Sequence, residues 1–195
     1  MKKQESQDSP KLRGHYHAEI HEAITKFKNP IKSFVYWLYE ILNYPQFLNK
    51  FVKNWCRGKL LGAYDYDNLI PTVGLTAFAA QMSGDNTTNI GDNLYIAVGS
   101  NVTAPLAGDT QLGTETTRKA AGSTSFSAGI ASIAVFFAAT EATGTHREFG
   151  LFGDGNAATA SGAANSGILF SHVAANVAVA ATETLTLTFE LTFTN

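Results

Sequence analysis

The chain has one cysteine, Cys56, in 195 residues, so neither an internal disulfide nor a cysteine-built metal site can form within one copy. Charge is also scarce. Charged residues make up 15% of the chain, against about 25% in an average soluble domain. A surface so poor in charge must be covered by Thr, Ser, Asn, Gly and Ala, or by other copies of the chain. Long apolar runs are missing too. The longest lies between Ser132 and Thr140, far short of the ~18–20 residues that cross a bilayer. The opening MKKQESQDSP has two lysines and no apolar stretch behind them, so it does not read as a secretory signal. A secreted disulfide scaffold and an integral membrane protein are both disfavoured. Apolar residues still account for 45% of the chain, which excludes wholesale disorder.

The charge that exists is divided unevenly. Residues 1–60 hold eleven Lys and Arg and five acids, a net +6, whereas residues 61–195 hold three bases and eleven acids, a net −8. Such asymmetry fits a nucleic-acid or membrane partner, or contact between unlike parts of neighbouring copies. The basic residues are interleaved with core-type aromatics and do not form a phosphate-tracking run. Neither nucleic acid nor membrane is therefore the expected partner. Composition shifts at the same place, from Lys, Tyr, Trp and Phe to Gly, Ala, Thr and Ser. Three regions are expected: an arm over 1–11, a strand–helical hairpin–strand region over 12–71, and an antiparallel β-sandwich over 72–195.

Local patterning fills in this outline. Gly14–Ala23 alternates as a strand, with His15, His17, Glu19 and His21 on one face and Tyr16, Ala18 and Ile20 on the other. Asn29-Pro30 opens an amphipathic helix, and a second follows after Pro45. This hairpin carries Phe34, Trp37, Phe47, Phe51 and Trp55, more aromatic surface than two helices hide from each other, and reads as an interface. Lys59–Leu69 returns as a strand, and Thr72–Ser83 as a helix with Leu75, Phe78, Ala79 and Met82 inward. Beyond it come strands over Leu94–Val98, Ser123–Ala139 (long and bulged), Arg147–Phe152, Gly167–Ala174 and Thr182–Thr194. In the last, five large apolars alternate with Thr and Glu and no Pro or Lys guards an edge, so it is expected at the centre of a sheet. The fold class is mainly β with an α insertion: a jelly-roll-like antiparallel sandwich plus an N-terminal strand pair carrying a helical hairpin.

Three stretches from Asn68 to the C-terminus are similar to a family of bacteriophage virion proteins of the tail-fibre, tail-collar and minor structural kind. They are DNLIPTVGLTAFAAQMSG (67–84), YIAVGSNVTAPLAGDTQLGTETTR (95–118), and EFGLFGD with SGILFSHV and ETLTLTFELTF (148–154, 166–173, 183–193). The resemblance implies a β-sandwich used in many copies on a virion, partnered by its own copies and by other virion proteins. It also implies that Glu115 and Arg118 pair to pin their loop, with Glu148 a second candidate partner. The segment 25–57 is not part of that pattern.

Signs of other chemistry are weak. His15, His17, Glu19 and His21 suit zinc or nickel by type, but at about 6.5–7 Å per two residues all four cannot share one ion. A solvated polar face on an edge strand is the simpler expectation. Asp65 and Asp67 share a face with no partner fixed by sequence. Asp109, Glu115, Glu148 and Asp154 lack the EF-hand spacing for calcium. Cys56 beside Arg57 reads as a packed thiol. Phosphate-loop, dinucleotide and nucleophile-elbow motifs are absent. No enzyme activity and no cofactor are expected. The functional expectation is a self-assembling structural subunit located in a virion. The alternatives are a carbohydrate- or receptor-binding module and a subunit of a cellular extracellular filament. The first alternative wants exposed aromatics, yet 99–125 and 153–167 contain no Trp, Tyr or Phe.

Overall fold

A computed structural model describes residues 11–23, 58–85, 89–155 and 159–194. The helical hairpin, with Phe34, Trp37, Phe47, Phe51, Trp55 and Cys56, lies outside the described residues, as does most of the N-terminal arm.

Alternation of apolar and polar residues, cleanest over 14–21 and 184–191, founds the first sheet. Strands β1 (Lys11–Glu22), β2 (Leu60–Asp67), β5 (Ser123–Ser127), β6 (Ile130–Phe137) and β9 (Glu183–Thr194) lie in the order β2-β1-β9-β6-β5, all neighbours antiparallel. The second sheet has the order β4-β3-β7-β8, from β3 (Tyr95–Gly99), β4 (Glu115–Ala120), β7 (Gly144–Gly153) and β8 (Ile168–Val179). The two sheets pack as a sandwich. Tyr16, Ile20, Leu185, Leu187 and Phe189 of the first face Ile96, Val98, Phe149, Leu151 and Val173 of the second, all buried. β9 is the middle strand of its sheet, and its Leu187 and Phe189 are fully buried.

Several expectations are corrected. β1 and β2 extend the sandwich's own sheet, so a boundary at residue 71 divides the sequence and not the fold. β1 is not an edge strand: β2 pairs on one side and β9 on the other. The long bulged strand over Ser123–Ala139 is a hairpin, β5 and β6, turning at Ala128 and Gly129 with φ of +49° and +78°. Two left-handed residues in succession make the primed turn that matches strand twist. β4, an ETTRKA segment without a large apolar residue, had no pattern to announce it.

Of the four residues expected inward on helix α1 (Thr72–Met82), Phe78 alone packs against the core. Leu75 and Met82 are exposed, while Gly74 and Ala77 are buried. The helix lies directly on the backbone of β8, where a Cβ on Gly74 would collide with the Phe170 carbonyl and Cα. Small residues therefore face inward where the approach is closest, and Leu75 and Met82 are left outside.

Candidate functional site

The outer face of the four-stranded sheet is not left to water. Its middle carries small residues, Ala97, Gly99 and Gly150, and the loop running from Ser100 to Thr114 lies over them. Leu112 of that loop is fully buried in a second apolar cluster with Ala97, Phe152 and Leu169. Gly99 has no room for a side chain, because a Cβ there would run into the Glu148 carboxylate and the Thr114 carbonyl.

Glu148 is the centre of this arrangement. It stands on β7 opposite Gly99, faces outward under the loop, and is 0% exposed. Its Oε1 accepts from the backbone N–H of Thr114 at 2.7 Å and of Asn101 at 3.3 Å. Its Oε2 accepts from the N–H of Gly113 at 2.9 Å and from His172 Nε2 at 3.0 Å. Four donors saturate the carboxylate. Both ends of the loop are thereby tied to one side chain. Burial pushes the Glu148 carboxyl up, but the His172 bond and the three backbone N–H groups outweigh it and hold the group below its ordinary value. His172 Nδ1 reaches Asp109 Oδ2 at 2.9 Å, and that oxygen also accepts from the Leu106 N–H at 2.8 Å. His172 thus bridges two carboxylates through its two ring nitrogens, and neither nitrogen is left free for acid–base work. A cleft of about 280 Å³ opens beside it, lined by Asn101, Thr103, Asp109, Gln111 and His172 among others.

A second clamp holds the neighbouring loop. Arg118 makes a two-pronged pair with Glu115, Nε to Oε1 and Nη2 to Oε2, each at 2.6 Å. Both side chains are 2% exposed. Arg118 Nη1 donates to the Ser166 carbonyl at 2.9 Å and the Ser161 carbonyl at 3.2 Å, and Glu115 Oε2 accepts from the Asn165 N–H at 2.9 Å. The guanidinium also lies over the Phe152 ring, 4.2 Å from its centroid. Glu148 is not a partner of Arg118 and serves the first clamp instead. The buried His172 and the half-buried Asp109 were not singled out as its partners by sequence, because the β7–β8 register and the covering loop, not spacing, bring them together.

The histidine face forms a third cluster, on the outer side of the five-stranded sheet. β1 pairing sets His15 opposite Asp67 and His17 opposite Asp65, and sets His15 opposite Glu190 on the other side. His17 Nδ1 donates to Asp65 Oδ1 at 2.7 Å, and His15 Nε2 lies 3.2 Å from the same oxygen. His17 Nε2 is 3.3 Å from Glu19 Oε1, and His21 is buried. The Asp65 bond raises the affinity of His17 for its proton, and His17 in turn lowers the Asp65 carboxyl. The sequence thus showed the histidines and the aspartates separately, and cross-strand pairing joins them. Among the described residues no group of three or more His, Cys, Asp or Glu has the geometry to hold a metal ion. Also among the described residues, no helix is long and apolar enough to cross a membrane.

The chain matches no protein-family profile, no curated protein and no solved structure.

Proposed function

We propose that the chain is a structural subunit of a bacteriophage or virus-like particle that works by assembling with copies of itself and with other particle proteins. The observation that carries this reading is the set of large apolar side chains the fold leaves in water. Phe126 is 77% exposed, Met82 74%, Val102 79% and Leu106 62%, on a surface with little charge to keep copies apart. The two clamps suit the same role. They fix the loops over 100–114 and 159–167 before any partner arrives, so a contact made by those loops costs little ordering. The similarity of the stretches from Asn68 onward to phage virion proteins supports a phage particle as the kind. The chain's place in it, on tail, fibre, neck or capsid surface, is part of the same proposal, as is a contribution from the helical hairpin to the contact between copies.

Immunogold electron microscopy tests the reading. Antibodies to the purified chain are expected to decorate phage or virus-like particles from the source culture at a regular position. Label confined to cells or their surface filaments would contradict it.

A further inference from the structure

The two sheets have four outer strands, and the described residues guard three of them. β2 carries Asp65 and Asp67, β4 carries the half-exposed Lys119, and β8 is covered by α1 and bridged by Leu69 to His172. Charge on an edge, or a covering element, blocks addition of a further strand. β5 has neither. Its sequence is STSFS, all five residues are exposed, and it has no charge and no proline.

The hairpin turn fixes which of its backbone groups are unused. Around a two-residue turn the flanking pair, Ser127 and Ile130, exchanges both hydrogen bonds. Alternation then turns the N–H and C=O of Ser123, Ser125 and Ser127 toward β6. Those of Thr124 and Phe126 point away from the molecule. Two donors and two acceptors therefore lie along an edge that no described strand pairs with, beside Phe126, a large apolar side chain 77% exposed.

Resting on the self-assembly reading above, we infer that β5 pairs antiparallel with β5 of a second copy about a two-fold axis at Ser125, joining two five-stranded sheets into one. In that register Thr124 faces the partner's Phe126 and Phe126 the partner's Thr124, so the free groups satisfy one another in four hydrogen bonds. Ser125 faces its own copy as a non-hydrogen-bonded pair. Phe126 lies on the core-facing side with Ala131, so pairing covers it at the rim of both sandwiches. The occupant is a second copy because the edge is its own complement: the same two residues offer donor and acceptor at matching spacing when the strand is turned through a half rotation. The pairing is short, and other contacts of the assembly strengthen it by raising the effective concentration of the edges.

Single cysteines test the register. In a background with Cys56→Ser, Ser125→Cys places two Cα atoms about 4.5 Å apart across the axis, within disulfide reach. Ser123→Cys and Ser127→Cys each stand about four residues, roughly 13 Å, from their own symmetry mates, out of reach. Mild oxidation of the full chain is expected to give at least about tenfold more disulfide dimer at position 125 than at 123 or 127. Adding Thr124→Pro should abolish that dimer with the melting temperature unchanged, because an edge proline with its ring facing solvent is tolerated. Thr124→Lys, which keeps the backbone intact, should also suppress it. Equal yields at all three positions, or none at 125, would overturn the pairing. If the unmodified chain still sediments as an assembly when position 125 stays unlinked, the edge is wrong and self-assembly stands. If the unmodified chain is a single copy at every concentration and position 125 stays unlinked, both fall.

Discussion

Leu187→Asp is expected to abolish the fold, while Thr188→Asp one residue along leaves the chain soluble and folded. Leu187 is fully buried at the middle of the middle strand, paired across to Ala18 of β1 and Val135 of β6. A carboxylate there has no cation or donor within the apolar core, and burying an unpaired charge costs more than the ~5–15 kcal/mol that holds a domain together. Thr188 points to the opposite face, beside His17 and Ala134, where a carboxylate meets water and an imidazole. Far- and near-ultraviolet circular dichroism of the two variants checks this. A soluble Leu187→Asp protein that melts like the wild type would remove β9 from the core.

The second large effect belongs to Glu148. Glu148→Gln offers one acceptor oxygen where the carboxylate offers two, and turns an amide donor toward N–H groups already lacking partners. Two of the four donors, from Thr114, Asn101, Gly113 and His172, lose their acceptor in a site closed to water. Breaking a buried pair of this kind costs about 3–5 kcal/mol. The exposed Lys119–Glu141 pair provides the contrast, and Glu141→Gln should cost under about 1 kcal/mol. Urea unfolding of both variants measures the difference. Glu148 also predicts a pH dependence. Its carboxyl binds a proton less readily in the folded chain than at the ordinary value of 4.5, so the stability it supplies is complete above that pH. That stability drains away as pH falls through the lower, folded value. The wild type should therefore lose stability on acidification over that window more steeply than Glu148→Gln. Equal acid slopes, or a cost within 1 kcal/mol of zero, would remove Glu148 from its role as the loop clamp.

How much of this was legible in the sequence follows from the range of the forces involved. β1, β2 and β9 were visible because alternation is local and their opposite faces differ sharply. Leu185, Leu187 and Phe189 face in, and Thr184, Thr186 and Thr188 face out. The pair of Glu115 and Arg118 stands only three residues apart, close enough to be read together in the sequence. The Glu148 clamp was not visible as a unit. Asp109, Glu148 and His172 come from a loop and two strands, and only the β7–β8 register and the covering loop bring them together. A reader of sequence has one clue, a lone acid followed by Phe149, Gly150, Leu151 and Phe152, where a solvent-facing strand would show alternation. α1 misled for a related reason. Amphipathic patterning assumes that the largest residues face in, but contact with the backbone of β8 selects Gly74 and Ala77. The β5–β6 turn was missed because Ala128-Gly129 is a weaker hairpin signal than Asn-Gly or Asp-Gly, and the flanking apolars ran on as one strand.

The central claim is that this chain works by joining copies of itself. The measurement must use the full chain, because a truncation starting at Leu60 would remove β1 from between β2 and β9 and unmake the sheet. Sedimentation velocity across a wide concentration range is the direct test. The account predicts species larger than the 20.9 kDa chain that grow in proportion as concentration rises. A single 20.9 kDa species at every concentration would contradict it.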